Sequence, residues 1–159
     1  MPSIILALFA CLLVMPVHAG SLSTVTNPAF NLGKGRAQVP YRTVGNAMMV
    51  EGRVNGVAVR FIVDTGASFV VIPPVVARRA GIETAQASRV SVQTANGLVQ
   101  APLVNISRLE IGRLSQRQVS AVVQRISPDG QTGLLGMSFL SAYQMTVDQS
   151  HSMLLLEVR

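Results

Sequence analysis

The sequence predicts an all-β domain, and three features of the chain lead to that fold class. Extended runs rich in Val and Ile recur in short pieces, each closed by Gly, Pro, Asn or Ser. Two of the turns between such runs are Asn-Gly, at Asn55-Gly56 and Asn96-Gly97, a dipeptide that favours tight hairpins because both turn residues must accept positive φ. Helical character is confined to Val75–Ala80 and Met137–Tyr143, so the helices are minor additions to a body of strands. At 159 residues the chain suits one domain with a modest core.

Residues 1–19 read as an address rather than as fold. Ile4–Val17 is apolar apart from Pro16, which is short for a bilayer span of about 20 residues. Val17-His18-Ala19 before Gly20 resembles a signal-peptidase site. Export with cleavage after Ala19, to the periplasm or the medium, is therefore expected. No Lys or Arg precedes the apolar run, so the alternative is an uncleaved N-terminal membrane anchor. Lipidation at Cys11 is not expected, because Phe9 is large for a lipoprotein box. Residues 20–40 mix Ser, Thr, Asn, Gly and Pro without periodicity and read as a linker or arm, with the folded domain at 41–159.

Met48–Val54 and Val57–Val63 form the first hairpin and deliver the chain to Asp64. After Asp64-Thr65-Gly66 the chain is extended to Ile72, where Pro73-Pro74 stops the strand, and Val75–Ala80 is a short helix ended by Gly81. Arg89–Thr94 alternates polar and apolar residues, and Leu98–Ala101 resumes after Ala95-Asn96-Gly97, giving a second hairpin with a small polar tip. Leu103–Ile111 and Val119–Val123 are strands about a turn at Gly112-Arg113. Gln124–Thr132 is a loop around Ser127-Pro128-Asp129-Gly130, residues that favour turns. Gly133-Leu134-Leu135-Gly136 leads into the second short helix, and Gln144–Val147 and Met153–Val158 close the chain about Asp148–His151.

Charge and composition narrow the function. The formal charge is +6, but the basic residues are spread from Lys34 to Arg159 and there is no Trp. A nucleic-acid surface would cluster them among aromatics, so scattered arginines describe a solvated face and no nucleic-acid partner is expected. Cys11 is the single cysteine, and loss of the leader would remove it together with His18, leaving His151. That argues against disulfides, Ser-His-Asp or Cys-His catalysis and multi-histidine metal sites, so no metal or cofactor is expected. The methionines, Met48-Met49 among them, read as core filler, and the glycosylation tripeptide Asn105-Ile106-Ser107 is too common to carry weight.

Asp64 stands out as a carboxylate between Phe61-Ile62-Val63 and Phe69-Val70-Val71-Ile72. A charge set between buried strands needs hydrogen-bond partners or a chemical use. The plain alternative is an aspartate that caps its own turn. Ordinary turn aspartates, however, are not approached and left through apolar runs of this length.

Phe61 to Ser68 resembles the active-site segment of retroviral-type, retropepsin-like aspartic proteases, where an apolar pair precedes Asp-Thr-Gly-Ala, here Asp64, Thr65, Gly66 and Ala67. Leu134-Leu135-Gly136 resembles the family's second signature, and the hairpin tipped by Ala95-Asn96-Gly97 falls where the family carries its flap. The resemblance runs from about Met48 to Val158 and is greatest to the small exported or membrane-anchored bacterial members. It implies a closed β-barrel or sandwich with a flap hairpin and one or two short helices, acting as a two-fold homodimer.

Aspartic proteolysis needs two carboxylates sharing one proton, one activating water and the other hydrogen-bonding the scissile carbonyl. The chain has 7 acidic residues, Glu51, Asp64, Glu83, Glu110, Asp129, Asp148 and Glu157, and only Asp64 has the required setting. One chain therefore supplies half a site. The other half is expected from Asp64 of a second copy across a two-fold axis, as the resemblance also implies, with Thr65 tying the two loops together. Such a pair titrates as a coupled unit, which gives a bell-shaped pH profile biased to acid.

Thr94, Ala95, Asn96 and Gly97 are the expected flap contacts to an extended peptide bound partly as an added strand, with pockets that prefer apolar side chains. Gly20–Pro40 and Leu154-Leu155-Leu156 are candidates for the dimer seam, the latter reading more simply as an ordinary core strand. The expected function is an aspartic endopeptidase. The alternatives are a catalytically silent retropepsin-like module that dimerises and binds peptide, and an unrelated exported β-barrel for a small ligand.

Overall fold

Residues 35–94 and 97–159 are described by the structure, a computed structural model. The expected leader, most of the arm and the flap-tip residues Ala95 and Asn96 lie outside the described residues. In chain order the elements are β1 (Arg36–Pro40), β2 (Arg42–Val44), β3 (Ala47–Val54), β4 (Val57–Val63), β5 (Val70–Ile72), α1 (Pro74–Arg79), β6 (Arg89–Thr94), β7 (Gly97–Ile111), β8 (Leu114–Val123), β9 (Thr132–Leu135), α2 (Met137–Leu140), β10 (Tyr143–Asp148) and β11 (Met153–Val158). Among the described residues no helix is long and apolar enough to cross a membrane.

The first hairpin forms as expected. Val54 faces Val57 across the β3–β4 turn, and Asn55 and Gly56 take positive φ of 48° and 87°, as the two-residue turn demands. Asn55 does more than turn the chain. Its Oδ1 accepts from the Arg108 N–H at 3.0 Å and its Nδ2 donates to Ala80 O at 3.3 Å, fastening the turn to β7 and to the end of α1.

One sheet runs β2-β3-β4-β9-β5-β8-β7-β6. Because β7 also pairs with β3, Gly52 opposite Ile111 and Val54 opposite Leu109, the six strands from β3 to β7 close on themselves. Closure removes free edges from the ring. Its interior holds the fully buried Val54, Phe61, Ile106, Leu109, Ile111 and Leu135. The remaining strands make a three-stranded sheet in the order β1-β11-β10.

Four departures from the sequence reading have local causes. Strand structure is already present at Arg36–Pro40, ahead of Tyr41, because Ala37 and Val39 point inward and β1 pairs with β11 along its length. Only two inward residues carry that signal, too few to show as periodicity. β8 starts at Leu114 instead of Val119; the polar stretch Ser115–Arg117 is held extended by its pairing with β7 rather than by its own propensity, and Gln118, at φ 55°, drops out of that register before Val119 resumes it. β7 is one strand of 15 residues through both the second hairpin and the barrel. Pro102, which lacks an N–H, is tolerated because it sits just where β7 parts from β8, whose pairing starts at Leu103. Finally, α2 ends at Leu140, and Tyr143 opens β10 with its ring 5.1 Å from that of Phe139. Leu154 and Leu156, candidates for a dimer seam, are fully buried within the monomer as ordinary core, while Leu155 is half-buried.

Candidate active site

The β-ladder leads straight into the acidic loop. β4 and β9 run parallel with Val63 beside Leu135, and the next N–H, that of Asp64, continues the ladder by donating to Leu135 O at 3.1 Å. Asp64 is half-buried, and one carboxylate oxygen accepts from the Gly66 N–H at 2.9 Å. The plain turn-capping role and the cleft-facing role therefore coexist in one residue. Thr65, Gly66 and Ser68 are exposed around it.

The second signature lies beneath this loop. β9 runs between β4 and β5, the strands on either side of Asp64-Thr65-Gly66. Met137 N–H donates to Ala67 O at 2.8 Å and Ser138 N–H to Ser68 O at 2.9 Å. Gly136 permits that approach, since a Cβ there would lie 2.1 Å from Phe69 O and 2.8 Å from Ala67 O. The Ser138 hydroxyl accepts from the Val70 N–H at 2.8 Å and donates to Ser120 O at 2.7 Å, so α2, β5 and β8 meet at one side chain. Nothing in the sequence distinguished Ser138 from any other polar helix residue.

Asp64 opens onto a cleft of ≈ 550 Å³. Gly66 and Ala67 flank it on the loop side, and Val92 and Thr94 of β6 line the opposite wall. Its floor is a second, smaller apolar cluster apart from the barrel core, built on Val71, Ala101 and Val122, with Phe69, Ile126 and Leu134 packed against it. Of the residues singled out from the sequence, Asp64, Gly66, Ala67, Thr94 and Leu134 come together at this cleft. Leu135 is fully buried below it, and Gly136 supports the loop from underneath. Gly97 faces Thr94 across the β6–β7 hairpin, where the Thr94 hydroxyl donates to Gly97 O at 2.8 Å.

Sequence reasoning missed a third wall, formed by Gln124, Arg125 and Ile126 of the loop after β8. Asp129 organises that loop. Its Oδ2 accepts from Arg60 at 2.7 Å and from the Thr132 hydroxyl at 3.1 Å, and its Oδ1 accepts from the Gln131 N–H at 3.0 Å and from the Ser127 hydroxyl. Chiefly through Ser127, then Gln131, these bonds hold the carboxyl at about 2, below the usual 3.8. A carboxyl lowered in the folded state stabilises it fully above the ordinary value, and that contribution fades as pH falls toward 2. The loop should thus stay ordered through the mildly acidic range. Asp129→Asn is expected to speed amide hydrogen exchange at Ser127–Gln131 at neutral pH, while the native loop loses protection only near the bottom of the acid range; equal exchange in both proteins at neutral pH would refute this.

His151 belongs to the β10–β11 turn. Its Nδ1 lies 2.8 Å from Asp148 Oδ2 and 3.0 Å from the Ser150 hydroxyl, which itself donates to Asp148 at 2.6 Å. Serine and aspartate meet the same ring nitrogen, so the group caps a turn and does not have the geometry of a proton relay, which uses both nitrogens. Among the described residues no three His, Cys, Asp or Glu side chains come together as metal ligands.

Comparisons with known proteins point the same way. Residues 50–142, which include the Asp64 loop, both strands of the β6–β7 hairpin and Leu134-Leu135-Gly136, match the family described as "gag-polyprotein putative aspartyl protease". A Sinorhizobium sp. protein described as an uncharacterized protein in the cobV 5' region is 38% identical over 93 residues, 58% of this chain and 40% of that protein's length. The crystal structure of a retropepsin-like aspartic protease from Rickettsia conorii matches with a TM-score of 0.61 and 25% identity, over 78% of this chain and 91% of that one. The chain belongs to the gag-polyprotein aspartyl protease family and has the retropepsin-like fold.

Proposed function

We propose that the protein is an aspartic endopeptidase whose active site forms when two copies bring their Asp64 carboxylates together on a two-fold axis. The observation that carries this reading is the position of Asp64, anchored on the β4–β9 ladder and opening onto an apolar-floored cleft walled by a flap strand. Exposed Thr65 and Gly66 beside it supply the surface that a second copy would meet. One carboxylate, ionised, takes a proton from water as it attacks the scissile carbonyl. The other, protonated, hydrogen-bonds the carbonyl oxygen and stabilises the tetrahedral intermediate. The leaving nitrogen then receives a proton from the pair. Extended peptide lies between the loop and the flap, its apolar side chains on the Val71, Val122 and Leu134 floor.

Residues 1–19 take this enzyme out of the cytoplasm, to the periplasm or the medium, in the same reading. Intact mass of the mature protein checks it: a chain starting at Gly20 is expected, and a full-length cytosolic chain would refute it.

The dimer is tested by serial dilution with sedimentation on the same samples. Specific activity on a peptide library should fall in step with the dimer fraction, and at fixed concentration the rate should trace a bell against pH with its maximum on the acid side. Cleavage by a strict monomer would refute the shared site. A verified dimer that cleaves nothing would identify a silent peptide-binding module instead.

A further inference from the structure

The geometry points to Arg125 as a specificity-determining residue that selects substrates carrying an acidic side chain beside an apolar scissile region, an inference that rests on the peptidase reading above. The cleft has an apolar floor and a rim of neutral polar residues, among them Ser91, Gln93 and Gln124. Only two of its described lining residues are charged, Asp64 and Arg125. Asp64 is committed to the chemistry, which leaves Arg125 as the one charge available to read a substrate side chain.

Three features make Arg125 fit for that task. First, its guanidinium is held in place, with Nε donating to Ser127 O at 3.2 Å and Nη2 donating to the carbonyl of Pro128. A held fork loses less freedom on binding than a free side chain. Second, a guanidinium carries more N–H donors than those two bonds use, and its planar fork matches a carboxylate. Third, the acid closest to it in sequence does not neutralise it. Asp129 spends its oxygens on Arg60, Ser127, Gln131 and Thr132, and among the described residues no carboxylate pairs with Arg125. Ile126, next in the chain, packs into the apolar cluster on the cleft floor. The loop thus presents an apolar contact and a cation side by side.

Two-fold symmetry adds a constraint. A shared site repeats every wall, so Arg125 of each copy stands on its own side of the scissile bond. Acidic preference is therefore expected at one position on each side. A substrate with acids at both positions is the best of all.

The test is a peptide series with apolar residues at the scissile bond and Glu, Gln or Lys moved through the flanking positions, cleaved by the full chain. At one position on each side Glu should raise kcat/KM about tenfold or more over Gln, with Lys below both. Because the substrate carboxyl must be ionised, the Glu/Gln ratio should shrink as pH falls through about 4.3. Arg125→Gln should bring the ratio to one, and Arg125→Glu should turn the preference toward Lys. Ratios are insensitive to partial loss of folded enzyme. The same Glu and Gln peptides, fluorescently labelled, are titrated by anisotropy into full-length Asp64→Asn with and without Arg125→Gln. Cleavage with a Glu/Gln ratio of one, or a ratio that survives Arg125→Gln, overturns the role of Arg125 and leaves the peptidase standing. Selective binding of the Glu peptide without cleavage by the native chain overturns the peptidase and leaves Arg125 standing; neither binding nor cleavage overturns both.

Discussion

Asp64→Asn is expected to lower kcat by about a thousandfold or more while leaving the fold in place. The amide retains an oxygen that can accept the Gly66 N–H, now held at 2.9 Å by the carboxylate, so the loop keeps its shape. In the proposed mechanism what disappears is the ability to take a proton from water, and general acid–base catalysis of that kind contributes about 10²–10⁴ in rate. A sharper form of the experiment uses mixtures. If each site needs one Asp64 from each of two copies, subunit exchange between native and variant chains makes mixed pairs with a single carboxylate. Activity should then follow the square of the native fraction, about one quarter at equal mixing. A straight-line fall would mean that each copy works alone, and the shared dyad would be wrong. Circular dichroism and sedimentation of the variant confirm that loss of rate is not loss of structure.

Gly136→Ala is expected to cost about 3 kcal/mol or more, or to fold with a displaced active-site loop and little activity. The backbone at Gly136, with φ −94° and ψ −176°, is one that any residue adopts, so the effect is contact alone. The added carbon would lie 2.1 Å from Phe69 O and 2.6 Å from its carbonyl carbon. Both atoms are backbone, and the adjoining Ala67 O is bound by the Met137 N–H at 2.8 Å, so no side-chain rotation relieves the clash. Ser138→Ala, a few residues along, removes only a bridge between the Val70 N–H and Ser120 O and should cost less, about 1–3 kcal/mol. Urea midpoints of the two variants give the comparison. A Gly136→Ala protein with native midpoint and native rate would contradict the packing described.

What was legible in the sequence was local. Asn55-Gly56 declares its hairpin because the turn's φ requirement rests on those two residues. Asp64 declares itself through apolar neighbours within a few positions. Less was legible where a residue's role depends on a distant partner. Ser138 matters because Ser120 and Val70 come to it in space. Gln124, Arg125 and Ile126 looked like part of a polar loop, and they become a cleft wall through distant partners: Gln124 N–H donates to Ile72 O at 3.0 Å, Ile126 packs on the Val71 and Val122 cluster, and Asp129 reaches across to Arg60 on β4. β1 was hidden for a similar reason: Ala37 and Val39 are inconspicuous until β11 lies alongside.

The position of β9 has a consequence for the life of the chain before it is finished. Strands β4 and β5 border β9, and the Asp64 loop rests on residues near 136–138, with sequence separations such as the 68 residues from Val70 to Ser138. Contacts closed over such separations come late and slowly, because loop entropy must be overcome first. During synthesis, a ribosome that has released Asp64 has not yet supplied the strand that holds it. The nascent polypeptide therefore carries the Asp64 loop unassembled until residues 132–138 have emerged, a built-in delay between making the carboxylate and holding it in place.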